Sequence, residues 1–220
     1  MTPYYPVCLD LRERACVVVG GGTVAARKVE GLLECGARVT VVAPILGPVL
    51  KHWLQEGRIA ARVRPYAEGD LEGAALAIAA TNEPTVNAQI AAEARARGVW
   101  LNAADDPERC DFILPSVVRR GDLQIAISTG GRSPALARRV REDLERLLPA
   151  EYGDLLPLLA DLRAELRQEG MDVPPERWQS AVDDTVLARL RAGDAAGARA
   201  LLRASLVLEP VIIRQSRTEA

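Results

Sequence analysis

The stretch CVVVGGGTVAARK at residues 16–28 constrains this chain more than any other. β-branched residues lead directly into three glycines, and helix-forming residues follow at once. That order is a strand, a tight turn and a helix in immediate succession. Gly20-x-Gly22-x-x-Ala25 fits the G-x-G-x-x-G/A fingerprint of a dinucleotide site. Gly20 allows the turn out of the strand, Gly22 removes a Cβ that would block a pyrophosphate, and Ala25 lets the helix pack closely on the strand. The phosphates would then meet the free N–H groups and the positive end of the new helix.

The rest of the first half repeats the alternation. An apolar segment at residues 4–9 reads as an edge strand, and Ala15–Val19 reads as a strand buried on both faces. Ala25, Val29, Leu32 and Leu33 make a helical stripe that Gly36 stops. Strands are expected at 39–43, 59–63, 76–80 and 99–102, with helices at 49–55 and 85–97. This is the pattern of an α/β protein with a Rossmann-type doubly wound parallel sheet. After residue 112 the pattern changes to strand-like segments at 112–114, 116–119 and 123–128. Ser133-Pro134 is an N-cap followed by a proline at the first helical position, so a helix starts there and runs to about 148. From Pro149 the chain reads as helical, punctuated at Pro157, Gly170, Pro174-Pro175 and Gly193, with its last ten residues frayed. The expected division is therefore 1–112, 113–148 and 149–220.

Composition excludes several chemistries. A net charge of −2 gives no general attraction to nucleic acid or membrane, and no apolar run is long enough to span a bilayer. The N-terminus lacks the form of a signal peptide, and the four cysteines include no C-x-x-C pair, so a cytoplasmic protein with reduced thiols is expected. Neither lysine, Lys28 nor Lys51, stands four residues after a tyrosine, which removes the Tyr-x-x-x-Lys dehydrogenases. His52 is the single histidine and reads as a helix-surface residue, so a His-centred acid/base pair or a nitrogen- and sulfur-rich metal site is not expected. Any reaction must be run by carboxylates and hydroxyls.

Ligands in open α/β sheets sit at strand exits. Besides the glycine loop, two exits stand out: Thr81-Asn82, and Asn102 to Asp106. The adjacent carboxylates Asp105 and Asp106 could act as a base or hard-metal ligand, or could cap a turn before Pro107. The acidic residue that usually takes the adenosine ribose, about 20 positions beyond the glycines, is replaced by Ala43-Pro44. No arginine follows Ala43 to receive a 2′-phosphate, which favours NAD over NADP.

Six motifs in order, VVGGGTVAARK (18–28), GARVTVVAP (36–44), AATN (79–82), NAADDP (102–107), FILPS (112–116) and STGGRSPALA (128–137), resemble the sirohaem-synthesis family. These are precorrin-2 dehydrogenases with or without sirohydrochlorin ferrochelatase activity. The resemblance implies a Rossmann domain, a middle dimerisation region of strands and a helix, and a small all-α C-terminal domain. It implies oxidation of precorrin-2 to sirohydrochlorin by NAD in a homodimer, with Fe²⁺ insertion as a further activity of some members. By the same resemblance Asp105 is the catalytic carboxylate and a transient Fe²⁺ ligand, with no resident metal. The cofactor would be held by Gly20, Gly21, Gly22, Thr23, Val24, Ala43, Pro44, Thr81 and Asn82, and the tetrapyrrole by Asn102, Ser128, Thr129, Gly130, Gly131 and Arg132. Thr129 stands where some members carry a phosphorylated serine. The methyltransferase domain fused to some members is not expected here. A substrate with eight carboxylates would also suit Arg119, Arg120, Arg132, Arg138 and Arg139, which equally fit a solvated basic face. The alternative of another class is a non-catalytic NAD-sensing regulatory module, which would be expected to carry the ribose-binding acid that this chain lacks.

Overall fold

The computed structural model describes residues 4–104 and 106–207. The expected fraying of the last ten residues lies outside this range, and so does Asp105. The described residues cluster into two compact units. One runs to Leu114 and takes in Ser128–Ser133; the other holds Pro115–Ile127 and the chain from Pro134 onward.

The first unit is a five-stranded parallel sheet. Its elements are β1 (Ala15–Val19), α1 (Thr23–Glu34), β2 (Arg38–Val42), α2 (Pro48–Gln55), β3 (Ala60–Arg62), β4 (Leu76–Ala79), α3 (Pro84–Arg97) and β5 (Trp100–Ala103). The spatial order is β3-β2-β1-β4-β5, with β1 paired to both β2 and β4. The order therefore reverses beside β1, the position at which such sheets open a ligand crevice. Alternation along β1 explains why the strand is apolar throughout. Cys16 and Val18 face a core with Ala25, Val29, Leu50 and Trp53, whereas Val17 and Val19 face one with Leu71, Ile90, Ala94 and Leu101. Both faces are covered, so a period of two never shows in the sequence.

Two expected strands are absent. Residues 4–9 carry no strand, and Tyr4, Tyr5, Val7 and Leu9 are all exposed; Pro6 also lacks the N–H that a ladder requires. Residues 112–114 carry none either. Asn102 Nδ2 donates instead to the Phe112 carbonyl at 2.9 Å, so that segment is held by a side chain. Prolines start helices more often than expected: Pro48, Pro84, Pro134 and Pro175 each stand at a first helical position.

The long connection from β3 to β4 is tied down by two buried carboxylates. Glu93 on α3 accepts the Tyr66 hydroxyl, the Gly69 and Leu71 N–H groups at 3.0 and 3.2 Å, and Arg97 Nε at 2.7 Å. Burial works against ionisation of Glu93, but those donors outweigh it and hold its carboxyl below the usual glutamate range. A carboxyl whose folded pKa is depressed stabilises fully above its unfolded pKa, and this contribution is lost as pH falls through the folded value. Glu93→Gln is therefore expected to lower stability by about 2–4 kcal/mol at pH 7. In denaturant titrations across pH, the gap to the unsubstituted protein should close below about pH 4. A gap that stays constant down to pH 3 would remove the charge from this account.

The second unit begins with an antiparallel hairpin, β6 (Ser116–Arg120) and β7 (Leu123–Ile127), which turns at Gly121 with φ +56°. Helix α4 (Pro134–Leu147) follows, and Arg120 caps its end by donating to the carbonyls of Glu145 and Leu148 at 2.7 and 2.8 Å. Helices α5 (Tyr152–Gln168), α6 (Pro175–Ala181), α7 (Asp184–Arg191) and α8 (Ala195–Val207) pack around Leu155, Leu162, Leu166, Leu190, Leu202 and Leu206. Pro157 does not interrupt α5. An internal proline costs roughly 3 kcal/mol, and burial of the helix's three core leucines, about 1.5–3 kcal/mol each, offsets it.

Candidate cofactor and substrate site

The three glycines stand in three different surroundings. Gly20 has φ +135°, and a Cβ there would lie 2.2 Å from the Ala80 carbonyl oxygen of the chain leaving β4. A Cβ on Gly21 would lie 1.9 Å from the Ile45 carbonyl, in the loop leaving β2. A Cβ on Gly22 would meet nothing within 4 Å. The fold therefore demands the first two glycines, while the space beside the third is left open.

Gly22 is also the N-cap of α1, in extended backbone, with no side-chain cap and no acidic residue in the first turn. The leading N–H groups of α1, at Thr23, Val24 and Ala25, are left for a partner from outside the helix. Ala25 is fully buried against the sheet, as close helix packing needs. An open backbone beside an uncapped helix start, at the sheet's reversal point, fits a dinucleotide pyrophosphate.

The fold draws several predicted cofactor residues together at this end of the sheet. Gly20 N–H donates to the Val42 carbonyl at 2.9 Å, Ala80 N–H to Val19 at 2.7 Å, and Gly47 N–H to Gly21 at 2.8 Å. Ala43 is buried beside Gly21, whereas Pro44 and Asn82 are exposed. Thr81 Oγ1 accepts from Glu83 N–H at 3.2 Å, and the Thr81 carbonyl accepts from Asn87 Nδ2 at 3.1 Å. The sequence pointed to neither Asn87 nor the 45–47 loop. Asn87 Oδ1 is buried with no hydrogen-bond partner among the described residues, and no local pattern marks it. The Gly47-Pro48 pair was the available signal for the loop.

The exit of β5 is built as a clamp. Ala104 N–H donates to the Ala79 carbonyl at 2.8 Å. Asp111 folds back onto β5, its N–H reaching the Leu101 carbonyl at 2.8 Å and its Oδ2 accepting the Leu101 N–H at 2.9 Å. Cys110 Sγ takes the Ala103 N–H at 3.2 Å and donates toward the carbonyls of Ala103 and Asp106, both at 3.3 Å. Burial raises the Cys110 thiol above its ordinary range, which keeps it a neutral donor. Asn102 is buried, with its amide nitrogen committed to Phe112. In this geometry it shapes the exit loop. Asp106 pairs with Arg109 across a short 3-10 turn, Pro107–Arg109, so its carboxylate already has a counter-charge.

The segment Ser128–Ser133 is a self-bonded turn. Gly130 and Gly131 are both left-handed, at φ +63° and +77°. Ser128 Oγ accepts the Gly130 N–H at 3.1 Å, and Thr129 Oγ1 accepts the Ser133 N–H at 3.1 Å while donating to the Ser133 carbonyl at 3.2 Å. Thr129 is thus engaged in holding the turn shut. Of the arginines expected around it, Arg120 serves the end of α4, while Arg138 and Arg139 pair with Glu142 and Asp143 at i+4. These three side chains support the second unit's own structure.

An NAD(P)-binding family model matches residues 7–116, half of the chain, and a model of the central part of sirohaem biosynthesis proteins matches residues 120–147. The chain belongs to the sirohaem-synthesis family. The siroheme synthase of Nitrosococcus oceani is 40% identical over 205 residues, covering 92% of this chain and 44% of that protein. That of Methylococcus capsulatus is 44% identical over 165 residues, covering 75% and 35% respectively. The chain thus spans less than half the length of these relatives. Among solved structures, the precorrin-2 dehydrogenase SirC superposes with a TM-score of 0.70 at 29% identity, covering 90% of this chain and 98% of that one.

Proposed function

We propose that the chain is a cytoplasmic, homodimeric, NAD-dependent precorrin-2 dehydrogenase. The observation that carries this reading is the end-to-end correspondence with SirC, which reaches past the dinucleotide fold into the helices that follow it. NAD supplies the hydride acceptor, so that precorrin-2 and NAD⁺ give sirohydrochlorin, NADH and a proton.

The protein's part is to hold and orient. The Gly20–Gly22 backbone and the start of α1 receive the pyrophosphate, with Ala43, Pro44, Thr81 and Asn82 around the rest of the cofactor. Asp105 accepts the proton released as the macrocycle gains conjugation. The turn at Ser128, Thr129, Gly130, Gly131 and Arg132 borders the tetrapyrrole, and Asn102 contributes by keeping the β5 exit in shape. Residues 113–148 form the dimerisation region, with the Rossmann domain before it and the helical domain after. The half-buried strands β6 and β7 support this, as does α4, which buries only Ala137 while Leu136 and Leu147 are 54% and 74% exposed. Among the described residues no helix is long and apolar enough to cross a membrane, and the four cysteines are free thiols.

The test is an anaerobic assay in two stages. Precorrin-2 and NAD are added first and NADH is followed by absorbance; sirohydrochlorin and Fe²⁺ are added second. NADH formation in the first stage is the expected result, and its absence with authentic substrate would refute the proposal. Iron insertion has support from the siroheme synthase relatives, and the second stage decides it, with Fe²⁺ as substrate. Hard carboxylate oxygens such as those of Asp105 suit a passing Fe²⁺ ion.

A further inference from the structure

The adenosine end of the dinucleotide crevice contains two arginines that the fold has disarmed. Ala43, where a ribose-binding acid would stand, donates its N–H to the Arg62 carbonyl at 3.3 Å, and Arg62 is the last residue of β3, in register with Val42. Arg64 follows two residues later. Arginines at this end of the sheet are what an enzyme uses to receive the 2′-phosphate of NADP. Here both guanidinium groups turn to one carboxylate. Arg62 Nη1 bonds Asp70 Oδ1 at 2.6 Å and the Asp70 carbonyl at 3.2 Å. Arg64 grips Asp70 with both terminal nitrogens, at 2.7 and 2.6 Å.

Asp70 is built to hold them. Its side chain is 2% exposed and fixed by the Ala67 N–H at 2.9 Å, while the two arginine side chains are 43% and 45% exposed. Burial opposes its charge, yet the bonds from Arg64, the Ala67 N–H and Arg62 outweigh that and bring its carboxyl down to about 2. It is therefore an anion at every physiological pH.

We propose that Asp70 is a specificity-determining residue that enforces NAD over NADP. It does so by sequestering Arg62 and Arg64, whose donors are turned onto an internal carboxylate and away from where a 2′-phosphate would approach. This deepens the cofactor reading above and rests on it. An NADP enzyme presents such guanidinium groups to the phosphate as a fork; here the fork is closed on an internal carboxylate. Discrimination then comes from charge already spent inside the protein, because the ribose acid that would exclude a 2′-phosphate is missing.

The experiment is a fluorescence titration of the full chain with NADH and NADPH, at fixed ionic strength, for the unsubstituted protein and Asp70→Asn. Asp70→Ser serves the same end if the amide is not accommodated, and circular dichroism confirms that the variant used is folded. The expected result is an NADPH-to-NADH affinity ratio raised about tenfold or more. Adding Arg62→Gln and Arg64→Gln to the variant should remove that gain. Asp70→Glu, which restores the charge, should keep the preference for NADH. A ratio unchanged in a folded variant that still binds NADH would overturn the proposal, as would a gain that survives loss of both arginines. An unsubstituted protein that binds neither nucleotide would instead sink the cofactor reading itself.

Discussion

A Gly22→Val variant is expected to fold and yet to lose NAD binding by about a hundredfold or more. Two or three charge-assisted hydrogen bonds from the loop and the start of α1 are at stake, each worth roughly 1.5–3 kcal/mol, and every 1.4 kcal/mol is tenfold in affinity. The fold should tolerate the change, because a Cβ at Gly22 meets nothing within 4 Å and the backbone there is extended, at φ −88° and ψ −170°. Valine caps a helix less well than glycine, which costs at most about 1 kcal/mol. Its neighbour gives the contrast. In Gly21→Ala the new methyl would sit 1.9 Å from the Ile45 carbonyl oxygen and 3.1 Å from the Ala43 Cβ, both in the loop leaving β2. That variant should lose stability, by about 2 kcal/mol or more, before any ligand is added. Isothermal titration with NAD beside thermal unfolding separates the two effects. Unchanged NAD affinity in Gly22→Val, or a fall in its melting temperature as large as that of Gly21→Ala, would mean that the open space beside Gly22 is not the cofactor's.

The contrast shows what could be read from the chain and what could not. The fingerprint was legible because its strand is buried on both faces and its helix starts without delay, so pattern and structure carry the same information. Which glycine serves the fold and which the ligand was not legible, since Ala80 and Ile45 are 60 and 24 residues away from their partners Gly20 and Gly21. The same limit explains the misread strands. Apolar content at residues 4–9 and 112–114 suggested strands, but strand formation needs a neighbour with free N–H and C=O groups. Phe112 instead receives the side chain of Asn102, a bond between residues ten apart. Local rules also undersold α5, where a proline counts as punctuation until the leucines it carries find a core. The arginines are the most instructive case. Sequence alone could group them near a glycine turn, but only the fold shows Arg120 serving a helix end and Arg62 and Arg64 serving Asp70. A long cationic side chain is assigned by what lies within its reach, and that is a property of the fold.

Asp105→Asn is expected to leave NAD affinity unchanged while lowering the rate of precorrin-2 oxidation by about 10²–10⁴-fold, the range spanned by a positioned proton acceptor. Asp105 itself lies outside the described residues, and its assignment rests on the family motif NAADDP and on its neighbours. Asp106, the other carboxylate of the pair, is already matched to Arg109 across the Pro107–Arg109 turn. On either side of residue 105 the described chain is clamped, through Ala104 to Ala79 and through Cys110 and Asp111 back to β5. A base positioned in advance meets a reacting carbon without a large entropic loss at the moment of reaction. Asp106→Asn is the matched control. It removes an ion pair that is part-exposed, worth about 1 kcal/mol or less, and should slow turnover by no more than about tenfold. The two variants are compared under anaerobic conditions by single-turnover NADH formation, with NAD binding measured in parallel. If Asp105→Asn turns over normally, or if Asp106→Asn is the slower of the two, the proton acceptor is not Asp105. The pH profile gives a second readout. A carboxylate base predicts that the oxidation rate falls on the acid side as the group protonates, and that this limb is missing from the residual activity of Asp105→Asn.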